Sequence, residues 1–150
     1  MRTITRILVA VSSLLVAQTA LADECELTIT GNDMMRYDKT ELSAPASCKE
    51  VTVTLKHSGT LAKSVMGHNW VLTLPEDMQS VVQSAMSLSL EENYIPDTDK
   101  IIAHTKVVGG GESDSVTFST ADLKAGKDYQ YFCSFPGHSS MMKGTFRLTQ

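Results

Sequence analysis

The chain has 150 residues, 42% of them hydrophobic, with 13 basic against 17 acidic side chains for a formal net charge of −4. That length suits one domain with a core of its own. No basic stripe interrupts the acidic balance, which argues against a nucleic-acid partner, and beyond the N-terminal segment no stretch is apolar enough to cross a membrane.

Arg2 and Arg6 form a positive leader, Ile7 to Ala17 is apolar apart from Ser12 and Ser13, and Ala20-Leu21-Ala22 is a small-x-small cleavage pattern. Residues 1–22 therefore read as a cleaved secretory signal, too short in its apolar part for a membrane anchor. Residues 23–150 remain as a single domain. Cleavage removes two basic and no acidic residues, leaving a net charge of −6. Export places the mature chain in an oxidising compartment, the periplasm. There Cys25 and Cys48, each without nearby histidines, form the natural disulfide pair. Cys133 is left over, and an exported protein seldom keeps a free thiol without a chemical use for it.

Short alternating segments follow in order. Glu26 to Thr30 and Glu50 to Leu55 alternate polar and apolar residues as half-buried strands do. Gly31-Asn32-Asp33 reads as a turn between the first of these and Met34 to Tyr37. Trp70 to Thr73 is another strand, and Pro75-Glu76-Asp77 opens a helix whose apolar positions Met78, Val81, Val82, Ala85 and Met86 recur at helical spacing. Glu91 to Asp99 reads as a surface loop. Ile101 to Val108, Ser115 to Phe118, Tyr129 to Cys133 and Gly144 to Leu148 complete the strands, with turns at Gly109-Gly110-Gly111 and Lys124 to Lys127. The expected architecture is all-β, a sandwich with one inserted helix.

The loop between the last two strands carries the chemistry. Cys133, His138 and Met142 offer a thiolate, an imidazole and a thioether within ten residues, and Pro136-Gly137 can turn the backbone between them. His68 lies far upstream, beside Gly67, whose carbonyl could face the site from the side opposite Met142. Two histidines, one cysteine and a weak thioether are the ligands of a blue-copper site. The soft sulfur suits Cu(I) and imidazole suits Cu(II), so the set can hold one copper ion in both oxidation states. Zinc also takes cysteine and histidine, but methionine gives no reason to choose it. A cysteine–histidine nucleophile pair would need an orienting third group and a substrate cleft, and the sequence shows neither, so no enzyme activity is expected.

Over essentially the whole mature chain the sequence resembles the azurins, the bacterial blue-copper members of the cupredoxins. The likeness rests on Glu24-Cys25, Gly31-Asn32-Asp33, Val65 to Leu72, Asp77-Met78-Gln79, Ile102 to Lys106, Asp114 to Phe118 and Phe132 to Thr145. It implies a cupredoxin Greek-key β-sandwich in a monomer that shuttles single electrons by Cu(II)/Cu(I) cycling. It also implies that His68, Cys133 and His138 are strong ligands, Met142 the weak axial one and the Gly67 carbonyl its opposite neighbour. The N–H groups of Asn69 and Phe135 would donate to the Cys133 sulfur. Met35, Met66, Phe135, Pro136 and Met141 would surround the exposed edge of His138 as an electron-transfer patch. His57 would be partly buried near the site, His104 exposed and Trp70 in the core. Implied partners are c-type cytochromes and copper or haem reductases. The competing role is copper storage or delivery in the same compartment. Two positions depart from the family's habit: Ser58 where proline is common, and Met141 where leucine is usual.

Overall fold

A computed structural model describes residues 24–150, so the expected signal segment lies outside the described residues. In chain order the strands are β1 (Glu26–Asn32), β2 (Arg36–Tyr37), β3 (Glu41–Pro45), β4 (Glu50–His57), β5 (Val71–Thr73), β6 (Ile101–His104), β7 (Ser113–Ser119), β8 (Asp128–Phe132) and β9 (Lys143–Thr149). A short helical turn, α1 (Lys63–Met66), and a longer helix, α2 (Met78–Ala85), interrupt them. The strands pair into a four-stranded sheet, β2-β1-β4-β7, and a five-stranded sheet, β3-β9-β8-β5-β6. This is the all-β sandwich expected, with α1 as an addition to the one helix anticipated.

The alternation in β4 shows why the sandwich forms. Val51, Val53 and Leu55 are fully buried, while Thr52 and Thr54 on the other face bond the hydroxyls of Thr117 and Ser115 on β7 at 2.9 and 2.8 Å. β1 runs parallel to β4 with Leu27 beside Val53 and Ile29 beside Leu55, so both strands deliver the same face inward. Trp70, Phe118, Tyr131 and Phe146 fill the space between the sheets, with the Trp70 ring 6.0 Å from both Phe118 and Tyr131. On the outer face of the second sheet, Val71 and Phe132 are covered by Val81 of α2, with Met78 and Val82 beside it. The Cys25–Cys48 disulfide closes 23 residues of sequence separation next to this core.

Three elements differ from the sequence expectation. β3 was not anticipated: Ala44 and Pro45 are poor strand formers, and it exists as an edge strand held parallel to β9, with Leu42 and Ala44 turned inward. β6 stops at His104, four residues early, because the Thr105 hydroxyl accepts the Trp70 N–H and Val108 rejoins the fold only by a bridge to His68. Gly31 lies inside β1, not in a turn. A β-carbon there would sit 2.7 Å from His68 Cδ2, so glycine is what lets the strand pass the histidine ring.

Strand register then creates the site. β5 and β8 are antiparallel neighbours with Val71 opposite Phe132. The residues just before β5 and just after β8 therefore leave the same end of the sheet. These are His68 to Trp70 on one side and Cys133 onward on the other.

Candidate metal centre

The loop after β8 is wound inward by its own backbone. The Cys133 N–H donates to Met142 O at 3.0 Å, His138 N–H to Phe135 O at 3.0 Å, and Met142 N–H to His138 O at 2.8 Å. Gly137 makes the bend between them with a left-handed φ of 85°. His68 is fixed from the other side by its paired backbone bonds with Val108, at 3.0 and 2.8 Å. Its Nε2–H donates to Asn32 O at 2.8 Å, which leaves the Nδ1 lone pair facing inward.

The three donor residues converge. His68 Nδ1 and His138 Nδ1 are 3.2 Å apart, and Cys133 Sγ is 3.7 Å from His138 Nδ1. All three donor atoms lie within 4.8 Å of one another, and all three residues are buried. An ion in a trigonal plane, with metal–nitrogen bonds of about 2.0 Å and a metal–sulfur bond of about 2.3 Å, requires separations of about 3.5 and 3.7 Å. The two spacings to His138 match those values to a few tenths of an ångström, so the donor set suits copper.

Electrostatics prepare these groups unequally. Burial, with His68 and His57 nearby, pushes His138 down to about 4. Burial also lowers His68, against the opposing pull of the Asn32 and Gly67 backbone. Both imidazoles are thus neutral and able to coordinate at neutral pH. Burial pushes the Cys133 thiol up to about 12, partly countered by the backbone of Asn69 and Phe135. Binding must therefore displace a thiol proton, and the positive charge of the ion is what stabilises the sulfur anion afterwards.

The other expected residues fall as follows. Met142 is fully buried, and its methyl would lie 3.4 Å from a β-carbon at Gly31, the same atom that would strike the His68 ring. Met142 and the His68 ring thus pack against the same point of β1. Gly67 is buried beside His68, where a β-carbon would strike Val107 and approach Phe135. The Asn69 side chain ties the two ligand segments together: its Oδ1 accepts the Ser134 N–H and its Nδ2 donates to Ser134 Oγ, both at 2.8 Å. Trp70 is wholly buried and His104 is exposed, in keeping with expectation.

His57 is more intimate with the centre than anticipated, since it is buried outright. Its ring stacks on His68 at 4.4 Å and 10°. Gly59 N–H donates to its Nδ1 at 3.0 Å, so Nε2 carries the proton and donates to Met66 O at 2.8 Å. Both nitrogens are engaged, so His57 backs a ligand without being one. Of the five patch residues, Pro136 and Met141 are exposed, while Met35, Met66 and Phe135 are half-buried. Sequence reasoning missed three exposed apolar neighbours, Met34, Leu61 and Val65, 71%, 39% and 60% accessible. Asp33 was the available signal. Its carboxylate accepts the N–H groups of Thr60 and Leu61, at 2.8 and 3.3 Å, and so joins the Met34 and Leu61 loops. Among the described residues no helix is long and apolar enough to cross a membrane.

Comparison with known proteins agrees with this geometry. Residues 23–149 match the family described as copper binding proteins, plastocyanin/azurin family. The chain is 57% identical to Azurin-1 of Alcaligenes xylosoxydans xylosoxydans over 83% of its own length and 98% of the relative's. It is 54% identical to the azurin of Bordetella pertussis over 85% and 86% of the two lengths. With the azurin of Pseudomonas aeruginosa it shares 50% identity over 95% and 98%. The chain belongs to the plastocyanin/azurin family of copper-binding proteins, and His68, Cys133 and His138 form the one-copper, blue-copper centre of an electron-transfer protein.

Proposed function

We propose that residues 23–150 work as a monomeric electron carrier in the periplasm once residues 1–22 are removed. It takes single electrons from c-type cytochromes, delivers them to copper or haem reductases, and catalyses no reaction of its own. The observation that supports this reading best is the closed set of three buried donors, with spacings of 3.2 and 3.7 Å. Copper supplies the Cu(II)/Cu(I) couple when bound. The chain's part is to hold two neutral imidazoles and a thiolate in nearly one arrangement for both oxidation states. Met142 and the Gly67 carbonyl would add weaker contacts to the ion. Backbone N–H groups of Asn69 and Phe135 share the sulfur's charge.

Electrons pass through His138. Of the four side chains at the centre His138 alone keeps any exposure, 4% against none for His68, Cys133 and Met142. Met35, Met66, Phe135, Pro136 and Met141 frame it. Such methionine-rich apolar contacts adapt to several partners and release them quickly. Copper storage or delivery would call for an open site that gives up its ion, and nothing at this buried centre favours it.

The optical spectrum of copper-loaded protein tests the assignment. An intense blue absorption is expected in the wild type and should vanish in Cys133→Ser. A colourless copper complex of the wild type, or a blue Cys133→Ser, would refute it.

A further inference from the structure

Asn93 and Tyr94 are two successive non-glycine residues in the left-handed region, with φ of 55° and 53°. A β-carbon there crowds the following carbonyl oxygen. Two in succession persist only where the surroundings over-determine them, and such sites cluster where function needs a fixed geometry.

The surroundings are the ligand-bearing segments. Asn93 O accepts from Asn69 Nδ2 at 2.9 Å, and Tyr94 O accepts from Ser134 Oγ at 2.8 Å. Asn69 follows His68 in the chain and Ser134 follows Cys133. Asn93 Oδ1 accepts the Val107 N–H at 2.9 Å, next to the residue that bridges His68. The Tyr94 ring meets Phe135 edge-on at 5.0 Å, and Phe135 stacks on His138 at 4.6 Å. Through one intermediary each, a single turn reaches all three donor residues. In this left-handed turn both carbonyls accept from the side chains that flank the ligands.

We propose that the Asn93–Tyr94 turn is a positioning clamp that fixes His68, Cys133 and His138 in their coordinating arrangement before copper arrives. Neither residue is a ligand. The turn acts through the Asn69–Ser134 pair on the sulfur side and through Phe135 on the imidazole side. The inference deepens the carrier reading and rests on it, because a centre kept unchanged between oxidation states needs donors that are already in place.

The test compares Tyr94→Leu with Tyr94→Phe, which keeps the ring. In metal-free protein, NMR of the His138 ring should give one sharp set of signals for the wild type and Tyr94→Phe, and broadened or multiple signals for Tyr94→Leu. In copper-loaded protein, Tyr94→Leu should bind copper about 10-fold more weakly, the usual lower bound for losing an outer partner of a ligand. Tyr94→Phe should restore the wild-type value. A Tyr94→Leu protein that is merely less stable, with sharp His138 signals and unaltered affinity, would overturn the clamp. If Tyr94→Leu does not fold, Ser134→Ala removes the bond to the Tyr94 carbonyl and takes the same readings with the same two outcomes. The ring signals of metal-free protein separate this test from the carrier reading, which a missing blue band in the wild type would sink by itself.

Discussion

The interior between the sheets and the pole that holds the ligands are equally dry but are built on opposite rules. Around Trp70 the contacts are apolar and non-directional. Its Nε1 is the single buried side-chain N or O atom of the described residues without a hydrogen-bond partner. Leaving one donor unpaired costs about 1–3 kcal/mol, which the burial of several aromatic rings outweighs. At the pole, each buried polar group is aimed: His57, His68, Asn69 and Ser134 all have named partners at 2.8–3.0 Å. The interior tolerates an imperfect contact because only total burial matters there. The pole has three donors to place within tenths of an ångström, so direction matters more than area.

If the two regions are separable, damage to each should be read by a different instrument. Trp70→Ala should give the largest loss of stability, about 3–5 kcal/mol for a fully buried tryptophan, measured by denaturant unfolding. The blue absorption of the folded, copper-loaded variant should survive. Loss of colour without unfolding would show that Trp70, two residues from His68, belongs to the pole. Removing the disulfide with Cys25→Ser and Cys48→Ser should cost about 3 kcal/mol by the same measurement, again with the copper spectrum unmoved. A changed spectrum would mean that the far end of the sandwich governs the centre.

The smallest effect sharpens the comparison from the other side, through pH in metal-free protein. His138 is held at about 4, against an ordinary value of 6.5. Between those limits the unfolded chain binds a proton that the folded chain refuses, so stability should fall as pH drops from 6.5 towards 4. Cys133 acts in the alkaline range. Its thiol ionises near 9 when unfolded and at about 12 when folded, so stability should fall again as pH rises past 9. Unfolding curves across both windows check this, and Trp70→Ala should keep the same pH slopes. A flat profile in the wild type would contradict the burial of these two ligands.

Much of the pole was legible because its chemistry is local. Cys133, His138 and Met142 share one loop, and their spacing is a sequence property whatever surrounds them. The Val51-Thr52-Val53-Thr54-Leu55 alternation likewise announces a strand with one buried face. β3 was not legible, because Ala44 and Pro45 carry no strand preference of their own and are ordered by β9. The end of β6 was missed for a related reason: it is set by the Thr105 hydroxyl reaching Trp70, a contact 35 residues away in the chain.

The residue types alone decided which metal this chain can hold and from which loop most of the grip comes, since softness and charge belong to side chains. The sequence also named His68 as the second imidazole, but only the tertiary structure shows what brings it there: the antiparallel register of β5 and β8 carries it to the same sheet end as Cys133. The tertiary structure also decided that His57 lies flat against His68 and that the Asn93–Tyr94 turn braces the pole. Those facts depend on which distant segments meet, and the pairing of strands settles that where spacing along the chain does not.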